Sequence, residues 1–214
     1  MKLLSVGLAR AMWFVDIGEL NPSGKDVFVH LFPALLEEYK FKRYPKPGDD
    51  LSQGMKFSGG EFVKKDGTVL TVSITLFNDA IAADTYSSTT DSDNFLGVIL
   101  GGLPDLGFSY DRAMVRRKAY TSQLNVVSSN PLSAINPKLI DLAKRIASGV
   151  GGVSLFEFSA IEFWPDQTKT YKPASFSFQK RTGDAPSDNR YWSQAPLPTD
   201  KHLELLDELE AILS

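Results

Sequence analysis

The stretch Thr71-Val72-Ser73-Ile74-Thr75-Leu76-Phe77-Asn78-Asp79-Ala80-Ile81 decides the fold class. Val72, Ile74 and Leu76 alternate with Thr71, Ser73 and Thr75, the period of a strand with one buried and one wet face. Asn78-Asp79 suits a two-residue hairpin turn, which sets Leu76 opposite Ile81 and Ser73 opposite Asp84. The same register sets Thr71 opposite Tyr86.

Working outward, Met55–Phe57 and Glu61–Val63 are extended segments flanking Gly59-Gly60, which reads as a tight turn. Asp66-Gly67 is a second turn. Residues 3–17 are β-prone and end at Asn21-Pro22-Ser23-Gly24. Residues 31–41 have helical spacing through Leu35, Leu36 and Tyr39, with a stop at Tyr44–Gly48. After Asp84 a Ser/Thr/Asp stretch leads into a helix carrying Phe95, Leu96, Ile99 and Leu103, capped by Thr90 or Asp91. Residues 112–128 are extended. A helix follows Asn136-Pro137 and closes at Gly149, residues 153–164 form an apolar strand, and 174–181 alternate again. Tyr191-Trp192 is a short strand before a final helix capped by Thr199.

These elements predict an α+β domain over residues 1–214: a mostly antiparallel twisted sheet with about four helices packed against it. Ser128–Pro137 is the best place for a two-lobed division. The order strand, strand, loop, helix occurs in 70–100 and again in 175–209. That order would fit a weak internal duplication, but chance recurrence of so short a pattern is the commoner explanation.

Composition excludes several functions. The 214 residues include no cysteine and two histidines, with a net charge of −3. Disulfides, thiolate nucleophiles and Cys-based zinc sites are therefore excluded. A weakly acidic chain makes nucleic acid an unfavoured partner. No run approaches the roughly 18 apolar residues of a membrane span. Arg10 and Asp16 interrupt the start as a leader peptide, so a cytoplasmic protein is expected.

The side chains that could carry chemistry each have a plainer role. Asp84, Asp91 and Asp93, with Asp79, could hold a hard divalent cation and serve a metal-dependent hydrolase or phosphodiesterase. Turn formation and helix capping explain the same residues better. Arg116, Arg117 and Lys118 could bind a phosphate or carboxylate. A solvated sheet face, or an edge strand protected by charge, is the commoner case. Glu157 and Glu162 lie on opposite faces of a regular strand. His202 reads as an exposed helix histidine and His30 as a packed or capping one. No Gly-x-Ser-x-Gly elbow occurs, and the Gly101-Gly102 and Gly149–Gly152 groups sit at helix ends. No cofactor and no metal site is expected.

Arg190, Tyr191 and Trp192, beside the Pro-rich 195–198, form the most interface-like segment, because Tyr, Trp and Arg dominate interface hot spots. The first expectation is therefore a non-enzymatic binding or assembly protein. It would act on a protein partner or its own copy, through a sheet edge or the 181–198 loop. The alternatives are the Asp84/Asp91/Asp93 hydrolase and a ligand or nucleic-acid surface on Thr71, Ser73, Thr75 and Tyr86.

Overall fold

The structure is a computed structural model, and it describes residues 1–46, 49, 54–152, 155–183 and 188–214. Among these, eight strands form an antiparallel sheet accompanied by four helices of eight or more residues. The strand order is β2-β3-β4-β1-β5-β8-β7-β6. The chain divides into two compact units, Leu8–Ser122 and Met1–Gly7 with Gln123–Ser214. The division falls between Gly7 and Leu8, inside the first strand, and between Ser122 and Gln123, upstream of residues 128–137.

In the Leu8–Ser122 unit, β1 (Lys2–Phe14) leads into two single-turn helices, α1 (Ile17–Leu20) and α2 (Val27–His30), and then α3 (Phe32–Tyr39). Lys40 ends α3 in the left-handed region, its N–H bonding back to the Leu36 carbonyl. This stop comes earlier than Tyr44–Gly48, of which Pro47 and Gly48 lie outside the described residues.

The hairpin of β3 (Val69–Leu76) and β4 (Ala80–Thr85) has the expected register, with Leu76 opposite Ile81 and Ser73 opposite Asp84. Phe77 N–H bonds to the Ala80 carbonyl at 2.8 Å to close the turn. Gly59-Gly60 is not a turn. Both glycines belong to one strand, β2 (Met55–Val63), where the register against β3 shifts between Phe57 and Gly60. This is a β-bulge, and Gly59 takes the positive φ of +70° that such a kink favours.

The cap of the helix α4 (Thr89–Gly102) lies two to three residues before the expected Thr90 or Asp91. Ser88 is the cap: its hydroxyl accepts from Asp91 N–H and donates to the Asp91 carboxylate. The core of this unit joins α3 and α4 to one side of the strands through Phe32, Leu35, Trp13, Phe57, Ile74, Phe95 and Leu96. The alternate strand residues, Arg10, Met12, Ser73 and Asp84, lie on the side where this core has no helix.

In the other unit, β5 (Arg117–Val127) is followed by α5 (Lys138–Gly149), β6 (Ala160–Phe163), β7 (Phe176–Lys180), β8 (Arg190–Ala195) and α6 (Thr199–Leu213). The apolar run 153–164 is extended strand only over its last residues, and Val153 and Ser154 lie outside the described ones. The core gathers Leu124, Val126, Phe178, Tyr191, Leu206 and Leu213. On α5 no residue is buried.

The order strand, helix, three-strand meander, helix thus occurs in each unit. A matching polar bond ties each closing helix to its strands. In α4, buried Ser92 donates to the Ala9 carbonyl at 2.7 Å and contacts Thr85 Oγ1 at 3.0 Å. In α6, buried His202 lies 2.8 Å from Ser193 Oγ. Both residues are the fourth of their helix.

Ile74 has no exposed surface and sits centrally in the first core. Ile74→Ala is expected to cost about 2–5 kcal/mol, the range for emptying a packed site of this size. Urea unfolding followed by circular dichroism measures it.

Candidate functional site

The three aspartates do not converge on one ion. Asp84 takes a bidentate bond from Arg10, at 2.6 and 2.8 Å, across the β1–β4 ladder. Asp91 lies 3.0 Å from Lys64 Nζ. Burial pushes its carboxyl pKa up, but bonds from Ser87, Lys64 and Ser88 outweigh that and hold it below the usual range. Asp93 accepts from Trp13 Nε1 at 2.6 Å, Lys118 Nζ at 2.8 Å and Tyr120 Oη at 3.3 Å. Each carboxylate thus has a separate cation. Among the described residues, no group of three or more His, Asp or Glu could hold a metal ion.

The Asp93 cluster clamps α4 to β1 and β5, and it forms one wall of a cavity of about 880 Å³. Trp13, Tyr39, Lys64, Tyr110, Arg112 and Lys118 contribute to the lining. Lys118 Nζ sits 3.8 Å from the Trp13 ring centroid as well as on Asp93, so its charge is held twice. Tyr120 is pushed up to about 12, by burial first and then by the Asp93 charge. A phenol so placed is a fixed donor. With its lone pairs taken up by Trp13, Lys118 and Tyr120, Asp93 is a joint in the fold and has little capacity left for a ligand.

The basic triplet also disperses. Arg116 pairs with Glu19 at 2.6 Å, the Arg117 guanidinium lies 4.0 Å from the Phe14 ring centroid, and Lys118 joins Asp93. The strand that carries Arg117 and Lys118 neighbours β1 and β8, but β8 runs beside its C-terminal half, where Gln123 bonds Gln194 and Ser128 bonds Asn189, and does not reach Arg117 and Lys118. The polar face of β3 is only partly open. Thr71 and Tyr86 are exposed and Ser73 is half-buried, but Thr75 is buried because the chain at Gly54 passes over it. A Cβ built at Gly54 would meet Thr75 Cγ2 at 3.0 Å and the Leu76 carbonyl at 2.8 Å.

His202 is fully buried, contrary to its reading as a surface histidine, while His30 is exposed at the end of α2. Ser193 Oγ donates its single proton to the Ser177 carbonyl at 3.0 Å. His202 Nε2 must therefore donate to Ser193, the reverse of general-base activation of a serine. Glu157 pairs with Lys180 at 2.7 Å, and Glu162 accepts from Ser177 and Trp164, so these two carboxylates are also separately engaged.

Sequence spacing held a signal for the histidine. His202, Leu206, Leu209 and Leu213 follow one helical stripe at i, i+4, i+7 and i+11, and Ser92, Leu96, Ile99 and Leu103 follow the same stripe in α4. A polar residue on a core stripe needs a buried partner, and each has one.

The remaining segment is β8. Tyr191 is buried, stacked on Phe178 at 4.5 Å, with its hydroxyl accepting from Leu132 N–H. Its ring belongs to the core and offers no surface. Arg190 and Trp192 point to the other side, Arg190 exposed and Trp192 half-buried. Trp192 lies opposite Gln179 on β7 and borders a shallow concavity of about 730 Å³ with Asn125, Glu157, Lys180 and Arg181. Gln123 and Gln194, bonded at 2.9 Å, extend the same side. Part of the 181–198 loop, Asp184–Ser187, lies outside the described residues.

No protein-family model matches the chain, and no curated protein matches it in sequence. Among the described residues no helix is long and apolar enough to cross a membrane.

Burial pushes the His202 pKa down to about 4, against about 6.5 unfolded. The unfolded chain therefore gains a proton first as pH falls. This contribution is complete above pH 6.5 and is lost between 6.5 and 4, on the order of 3 kcal/mol. Urea midpoints measured across that window should fall more steeply for the natural protein than for His202→Gln. Parallel curves would show that His202 is not held neutral.

Proposed function

We propose that this chain is a protein-binding module without catalytic chemistry of its own, and that it engages its partner through the side of β5, β8 and β7 opposite the core beneath α6. The observation that carries this reading is the placement of Trp192. A large aromatic stands on a strand face opposite the core, half-buried and flanked by the amides of Asn125 and Gln179. Exposed Arg190 and the Arg181 at the concavity rim supply charge at its border.

A rigid strand fixes these side chains before binding, so little entropy is lost on association. Trp and Arg anchor protein interfaces when surrounded by polar groups that exclude water. Amides suit this setting because each both donates and accepts, which fits backbone and side-chain groups of a partner. The metal-dependent hydrolase alternative would require Asp84, Asp91 and Asp93 to leave Arg10, Lys64 and Lys118 and turn to one ion. The engaged state of all three favours the binding reading.

Affinity capture from the native cell lysate tests it, with Trp192→Ala and Arg190→Ala as paired variants. A partner held stoichiometrically by the natural chain should be lost with Trp192→Ala and weakened with Arg190→Ala, each by roughly 2 kcal/mol or more for a true anchor. Both variants should melt within a few degrees of the natural chain. A partner retained equally by both variants would contradict the assignment.

A further inference from the structure

The two sheet edges are treated differently by the chain. At β2 the edge is closed. Lys42 and Arg43 N–H both bond to the Ser58 carbonyl, and Ser58 N–H returns a bond to Arg43. The bulge at Gly59-Gly60 kinks the strand, and Lys56 adds charge on the same strand. A covering segment, a bulge and lysines are the usual defences against edge pairing.

Among the described residues the β6 edge shows no covering segment and no bulge, and its defences are its length of four residues and Pro165 just beyond it. The strand is regular, and among the described residues no further strand follows it in the sheet. Lys180 N–H bonds to the Ser159 carbonyl, and Ala160 through Phe163 pair in unbroken register with Gln179 through Phe176. Antiparallel alternation then directs the backbone groups of Ile161 and Phe163 toward β7. Those of Ala160 and Glu162 face outward. Phe163 and Trp164 are 66 % and 70 % exposed at the same edge.

We propose that two copies of this chain pair antiparallel through β6, edge to edge, centred on Ile161. This register sets Ala160 of each copy opposite Glu162 of the other and forms four backbone hydrogen bonds. Centring on Glu162 would oppose two carboxylates, which is disfavoured. A strand that pairs with its own copy is self-complementary and makes an isologous, closed interface. The pair is closed at β6, and the other edge is covered at Ser58 by Lys42 and Arg43.

The aromatic surface supports a second copy as the occupant. Phe163 and Trp164 together expose roughly 300 Å² of apolar side chain, taking about 150–250 Å² for each whole residue. That is more than a third of the ~800 Å² each partner gives to a standard interface. In this register Phe163 of each copy faces Ser159 of the other and Trp164 faces Phe158, while each copy supplies the same outward backbone groups.

The inference rests on the β6 edge and is independent of Trp192. Sedimentation velocity of the full chain over a wide concentration range tests it, with Ala160→Pro and Phe163→Lys as variants. Proline at 160 removes an outward N–H without removing any bond to β7. The natural chain and Trp192→Ala should both sediment as dimers. Ala160→Pro, which removes two of the four bonds, and Phe163→Lys should each weaken the dimer on the order of tenfold or more. If proline disturbs folding, the Phe163→Lys variant carries the comparison. A natural chain that stays monomeric at the highest concentration, or a dimer that both variants leave intact, overturns the proposal.

Discussion

Each strand must bury one side, and α3 and α4 in one unit and α6 in the other pack against that side. The rest of the structure depends on this constraint. In the Leu8–Ser122 unit, Ile74, Ala83, Ala11 and Trp13 take the inward positions of β3, β4 and β1, and α3 and α4 cover them. In the other unit, Val126, Phe178 and Tyr191 do the same beneath α6. The outward positions are then free to be polar: the Arg10–Asp84 pair in one unit, the Gln123–Gln194 pair in the other. A binding reading follows because the outward side of β8 carries a half-buried tryptophan beside the amides of Asn125 and Gln179.

The buried polar bonds keep this arrangement specific. A helix lying on a sheet through apolar contacts alone can slide by a turn at modest cost. Ser92 and His202 prevent that, since a slip would leave a buried donor without its acceptor. Thr85, the Ala9 carbonyl, Ser193 and the Ser177 carbonyl are fixed by the ladder, so each helix has one position at which its polar residue is satisfied. His202 and Ser193 therefore read as a structural pair despite the 2.8 Å contact that would suit a nucleophile and base.

Local signals made part of this legible in the sequence. The β3–β4 register followed from strict alternation and a two-residue turn, both contained within a dozen residues. The α+β class followed from the same strands and the helical stripes. What escaped depends on long-range pairing. Gly59-Gly60 has turn chemistry, and only the continued pairing with β3 makes it a bulge. Arg116, Arg117 and Lys118 are adjacent in sequence, yet they engage Glu19, the Phe14 ring and Asp93 separately. Asp84, Asp91 and Asp93 are close in sequence, yet their cations come from β1, the turn after β2, and β5. Tyr191 and Trp192 are neighbours on opposite strand faces, so one is core and the other is surface.

The chain contains no cysteine, so a single one can be introduced as a reporter. Gln179 is exposed beside Trp192 on β7, and Glu208 is exposed on α6. The most direct measurement is photo-crosslinking from a benzophenone carried on Gln179→Cys, with Glu208→Cys as the control, in the presence of the native cell lysate. The account predicts one dominant protein adduct from position 179 and none from 208. Adduct formation from 208 alone, or an equal yield from both positions, would contradict recognition through the Trp192 side of β7 and β8.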